Sequence, residues 1–179
     1  QHLLERRAIP ALRDLNASIR LQPQTTATQL AAFLGSADGL ALSLQGPPGT
    51  GKTTVTGELI GRLVQQGQRV AVSSQGHEAI NNLLKRTQSQ IEQLGGQGLV
   101  VKLSSSTSEM SDQRSLHGSA VQALRESAIS QEPDVLGATV FSLVKESYAD
   151  APFDLLVIDE AGQVSLSNLL YMSQCARNI

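Results

Sequence analysis

Residues 46–53, Gly-Pro-Pro-Gly-Thr-Gly-Lys-Thr, constrain what this chain can fold into more than any other stretch. The spacing G-x-x-x-x-G-K-[ST] makes a site only where a strand delivers the chain to the loop and a helix carries it away. Both neighbours are legible. Residues 40–44 read as a short buried strand, and Val55, Leu59 and Leu63 fall on one face of a helix that Gly67 ends. In that context the glycines let backbone N–H groups turn inward as an anion-binding concavity, reinforced by the unpaired amides at the helix start. Lys52 is placed to reach the β- and γ-phosphates of a nucleotide, and the Thr53 hydroxyl to ligate Mg²⁺.

The rest of the 179 residues alternates between the two periods. Leu4, Ala8, Leu12, Leu15 and Ile19 recur at helical spacing before a break at Pro23, and 28–34 reads as a second helix. After the loop come a strand over 69–73, a helix with Ile80, Leu83, Leu84 and Thr87 on one side running towards Gly95, and a strand over 99–103. The Ser-rich stretch 104–118 reads as a solvated loop, and Val121 and Leu124 allow a short helix. Residues 135–141 and 155–158 are the remaining strands, the second an apolar run expected to be buried on both faces. Strands alternating with helices predict an α/β fold built on a parallel sheet flanked by helices.

A phosphate loop serves many unrelated functions, so a second motif has to choose among them. Residues 153–163 read Phe-Asp-Leu-Leu-Val-Ile-Asp-Glu-Ala-Gly-Gln. An apolar strand ending in Asp159 brings a carboxylate to the carboxyl edge of the sheet, where it can hold the Mg²⁺ shell, and Glu160 is suited to deprotonate an attacking water. The same pair could instead cap the helix from Ser165. No N/T-K-x-D sequence that would read guanine occurs, which favours ATP.

Fourteen Lys and Arg stand against sixteen Asp and Glu, a net charge of −2 that excludes a module holding nucleic acid by bulk charge. Any such contact must be local. With two Tyr, three Phe and no Trp, contacts to the nucleic-acid backbone should outweigh base stacking. No apolar run approaches the roughly 18 residues of a membrane span, no leader is recognisable, and the single cysteine, Cys175, has no internal disulfide partner. The expected setting is a reducing cytoplasm, without membrane contact; the residues say nothing of oligomeric state.

Together the two motifs resemble those of the superfamily 1 helicases, in the DEAG-box branch related to the nonsense-mediated-decay and Okazaki-fragment helicases. Residues 44–53, Leu-Gln followed by the loop, are similar to motif I of that branch, and residues 159–163, Asp-Glu-Ala-Gly-Gln, to its motif II. Residues 72–83, Val-Ser-Ser-Gln-Gly-His-Glu-Ala-Ile-Asn-Asn-Leu, resemble motif Ia more loosely, and 136–139, Leu-Gly-Ala-Thr, sit where a further nucleic-acid-contacting motif is found. The resemblance implies a RecA-like P-loop motor that uses ATP and Mg²⁺, with Lys52, Asp159 and Glu160 in catalysis and Thr53 and Asp159 on the metal. It places Gly46, Pro47, Pro48, Gly49, Thr50, Gly51, Lys52, Thr53, Thr54 and Gln163 around the nucleotide. Gln29, or Gln24 in its stead, matches the glutamine that grips the adenine edge, and reads equally as a solvated helix residue. Ser73, Ser74, His77 and Thr139 fall to single-stranded nucleic acid, DNA or RNA, His77 reading equally as a plain helix-start residue.

The same resemblance makes residues 1–28 an N-terminal helical extension and 29–179 the first RecA-like motor domain, truncated after motif II, with 5′ to 3′ movement. Motif III and the arginines of a second RecA-like domain would lie beyond it. In this fold the motif III strand lies between the strand preceding Gly46 and the strand of Asp159, so the expectation is a sheet without that central strand. The tail 164–178 is most similar to bacterial members whose motor is fused to a RecB-type nuclease. The leading expectation is the ATP-binding part of an ATP-dependent nucleic-acid helicase; the alternative is a P-loop regulatory module that binds nucleotide without translocating.

Overall fold

A computed structural model describes residues 23–103, 120–124, 131–145 and 152–179. The helix expected over 4–19 and the Ser-rich loop over 104–118 lie outside the described residues.

Strand β1 (Val70–Ser74) is buried at all five positions, because helices cover both faces of the sheet around it. Alternate residues serve opposite layers. Val70 and Val72 join the core beneath α1 (Pro23–Leu34), α2 (Lys52–Gln65) and α3 (His77–Gln93), while Ala71 joins the core on the other face. The remaining strands are β2 (Val100–Leu103), β3 (Gln122–Leu124), β4 (Val135–Thr139), β5 (Phe153–Ile158) and β6 (Ala176–Asn178). All pair parallel, in the order β3-β2-β4-β1-β5-β6. The opposite face is covered by α4 (Val140–Lys145) and α5 (Leu166–Met172), which bring Val140, Leu143 and Met172 against Ala71, Leu136 and Leu156. The result is a helix–sheet–helix sandwich, the architecture of a RecA-like P-loop fold.

Helices α2 and α3 form where the spacing predicts, and α1, expected over 28–34, already starts at Pro23. On α3, Ile80, Leu83, Leu84, Thr87 and Ile91 are buried in a single stripe. On α2, Leu59 and Leu63 are buried, Val55 packs beside them, and Gly67 ends the turn at φ 77°. Ser165 caps α5, its hydroxyl accepting the Asn168 N–H at 3.3 Å. Cys175 is buried in the second core, and burial pushes its thiol up to about 11, so it acts as a small apolar side chain. Among the described residues no helix is long and apolar enough to cross a membrane.

Four expectations are corrected. Gln122–Leu124 is a strand rather than a short helix, because Val101–Leu103 of β2 offers it an edge to pair with. The strand begun at Val135 ends at Thr139, and Val140 and Phe141 already belong to α4. The apolar run of β5 is buried at Leu155 and Leu156 but only half-buried at Val157 and Ile158. Residues 40–44 form no strand of the sheet, and of them only Leu40 is buried.

The fourth correction explains another, for the central strand expected to be missing is present as β6. It pairs with β5 through Phe153↔Ala176 and Leu155↔Asn178, and its other edge meets the segment before the phosphate loop. There Gly39 N–H donates to the Arg177 carbonyl at 3.1 Å, Ile179 N–H to Leu40 at 2.8 Å, and Leu42 N–H to Ile179 at 2.7 Å. Asn178 locks this arrangement: its amide donates to the Ala37 and Asp154 carbonyls at 2.9 and 3.1 Å, and its Oδ1 accepts the Leu40 N–H at 3.0 Å. One buried side chain thus stitches β6 to both neighbours.

Candidate functional site

Because β6 separates β5 from residues 39–42 and all run parallel, residues 46–53 and Asp159 emerge at the same carboxyl edge of the sheet. Two strand spacings put them about 10 Å apart across the sheet.

The loop owes its shape to its glycines. Gly49 and Gly51 take φ of 78° and 81°, which a side chain would resist, and a Cβ at Gly46 would sit 2.8 Å from the Thr50 hydroxyl. That hydroxyl donates to the Pro47 carbonyl at 2.8 Å. The Val55 N–H donates to the Gly51 carbonyl at 3.0 Å, so the N–H groups of Lys52, Thr53 and Thr54 precede the helical ladder and are open to an anion. Lys52 turns back on its own loop, Nζ donating to the Gly46 and Pro47 carbonyls at 2.6 and 2.9 Å. Pro48 and Thr53 are exposed beside it.

At the end of β5 the Asp159 N–H continues the sheet, donating to the Ser73 carbonyl at 2.9 Å. Its carboxylate is half-buried and accepts the Glu160 N–H at 3.0 Å. Glu160 is the single non-glycine residue at positive φ among the described residues (φ 54°, ψ 40°), a left-handed conformation that costs about 1–2 kcal/mol. The turn Ala161–Gln163 holds it there, with Gln163 donating its N–H to the Glu160 carbonyl at 2.9 Å and its side-chain amide to the Glu160 carboxylate at 3.2 Å. Among the described residues no three His, Cys, Asp or Glu converge.

Gln29 lies half-buried on α1, which packs on α2, and its Oε1 is a buried acceptor without a partner among the described residues. An orphaned acceptor fits the amino group of an adenine. At the far side of the edge, Thr139 is the register partner of Ser74 and is half-buried, its hydroxyl 3.2 Å from that of Ser142. His77 opens α3. Ser73 and Ser74, expected to contact the strand's phosphates, are fully buried in β1.

Two residues escaped the reading of the sequence. Lys102 is fully buried on β2, its ammonium 2.8 Å from the Leu103 carbonyl and 3.3 Å from Nδ1 of His77. A charge inside the apolar run Val-Val-Lys-Leu was the signal for it. Gln75, just beyond β1, donates to the Gln163 carbonyl at 3.0 Å, and nothing in the motif Ia resemblance of 72–83 singles it out.

Comparison with known proteins agrees with this geometry. A stretch of 48 residues is 52% identical to the DNA replication ATP-dependent helicase/nuclease DNA2 of Saccharomyces cerevisiae; it covers 27% of this chain and 3% of the yeast protein. The family model for the helicase domain of RNA cytidine acetyltransferase NAT10/TcmA matches residues 43–179, well over half of the chain, and the chain belongs to that family.

Proposed function

We propose that the chain is the ATP-binding half of an ATP-dependent nucleic-acid motor of the DEAG-box type, with residues 29–179 as its first RecA-like domain and 1–28 as a helical extension. One observation carries this reading: β6 lies between β5 and residues 39–42, so the phosphate loop and Asp159 share an edge with one strand between them. Lys52 exchanges its loop carbonyls for the β- and γ-phosphates, and the open amides of residues 52–54 surround them. Thr53 and Asp159 hold Mg²⁺, which when bound offsets the charge on the transferred phosphoryl group. Glu160 takes the proton of the attacking water, and Gln29 accepts from the adenine amino group. The single strand passes along the same edge over His77 and Thr139, with Ser73 and Ser74 beneath. The family description names RNA and the yeast relative's names DNA, so both strands belong in the assay.

The test is Mg-ATP binding and turnover in the full-length protein with and without single strands. Ligand at 100 times its Kd stabilises a fold by about 2.7 kcal/mol, a melting shift that Lys52→Ala is expected to lose. Glu160→Gln should keep that shift and lose roughly 10²- to 10⁴-fold in turnover. An undiminished shift in Lys52→Ala overturns the nucleotide assignment, and turnover indifferent to every strand makes the chain a regulatory module instead.

A further inference from the structure

The end of β1 is tied to the turn after β5 by a bond that the proposed reaction leaves unused. Exposed Gln75 donates through Nε2 to the Gln163 carbonyl at 3.0 Å. Gln163 in turn holds Glu160 twice, by its N–H to the backbone carbonyl and by its side-chain amide to the carboxylate. Glu160 needs such holding, because a left-handed non-glycine residue persists only where its surroundings over-determine it. On its other side Gln75 stands two residues before His77 and next to Ser74, the register partner of Thr139. It therefore sits between the edge assigned to the strand and the carboxylate assigned to the water.

We propose that Gln75 is a positioning residue that couples occupancy of the strand edge to the setting of Glu160; the inference rests on the motor reading above. A strand laid across residues 75–77 presents phosphate oxygens and base acceptors that compete for the Gln75 amide. When the amide turns to the strand, the Gln163 carbonyl loses its tether and the turn that sets Glu160 is free to change. Asp159 does not follow, since its N–H stays on the Ser73 carbonyl in the body of the sheet. Strand binding thereby resets Glu160 while the metal-holding carboxylate keeps its place.

The experiment compares the full-length protein with Gln75→Met, which keeps the length and loses the donor, and with Gln75→Ala. Turnover is titrated with an unstructured oligonucleotide, oligo-uridine or oligo-deoxythymidine, and the affinities for Mg-ATP and strand are measured separately. Both affinities should hold, while the ratio of strand-saturated to strand-free turnover falls roughly three- to tenfold, the worth of one hydrogen bond. An unchanged ratio in both variants overturns the coupling. A higher half-saturating strand concentration with the same plateau also overturns it, making Gln75 a simple contact. Absence of stimulation in the unsubstituted protein overturns the motor reading itself, a result distinct from either.

Discussion

At Gly137 a single added carbon has nowhere to go. This residue lies mid-strand on β4 beneath α3, where a Cβ would come within 2.9 Å of Ile80 Cγ2 and closer still to Leu84. Gly137→Ala is expected to cost about 1–3 kcal/mol through overpacking, seen as a lower urea midpoint with an unchanged slope. At this scale the placement of residues 46–53 and Asp159 at one sheet edge was legible, because the motif spacing and the apolar strand before Asp159 are local patterns; the roles proposed for Lys52, Thr53, Asp159 and Glu160 await the tests above. Gln75 was not legible, since its meaning depends on a partner 88 positions away. Nor does a string of letters reveal that Ser73 and Ser74 are buried, one on each face of the sheet; that depends on the layers that cover both faces of β1.

Among the elements, β6 has three residues and shapes the site more than any other strand. Asn178→Ala removes partners from the Leu40 N–H and the Ala37 and Asp154 carbonyls at once. Buried groups left unpaired cost about 1–3 kcal/mol each, so a loss of at least about 2 kcal/mol is expected in chemical denaturation, with faster hydrogen exchange at the Leu40 amide. The long helices α2 and α3 were legible because a buried stripe repeats over several turns and averages out single exceptions. Short segments carry no such redundancy. Val121 and Leu124 fit either period, and a two-residue overrun put Val140 and Phe141 in a strand that stops at the sheet edge.

For the molecule as a whole, the helix–sheet–helix stack brings residues 46–53, Asp159 and the ends of β1 and β4 to one edge of the sheet. Motors of the kind this chain resembles complete that site with arginines from a second RecA-like domain, and such an arginine is worth about 10³ to 10⁵ in phosphoryl transfer. On the motor reading proposed above, purified residues 1–179 are expected to bind Mg-ATP yet turn it over at least about 10³-fold more slowly than a chain that carries such an arginine, strands giving no rescue. A steady-state assay with and without oligonucleotide checks this, and brisk strand-stimulated turnover by 1–179 alone would refute it. The fold class and the glycine-rich motif at residues 46–53 were legible in the sequence alone, because periodicity and motif spacing are properties of neighbouring residues. The place of β6 was decided only by the tertiary structure: residues 176–178 become a strand by pairing with β5 on one side and residues 39–42 on the other, partners brought together only when the whole sheet forms.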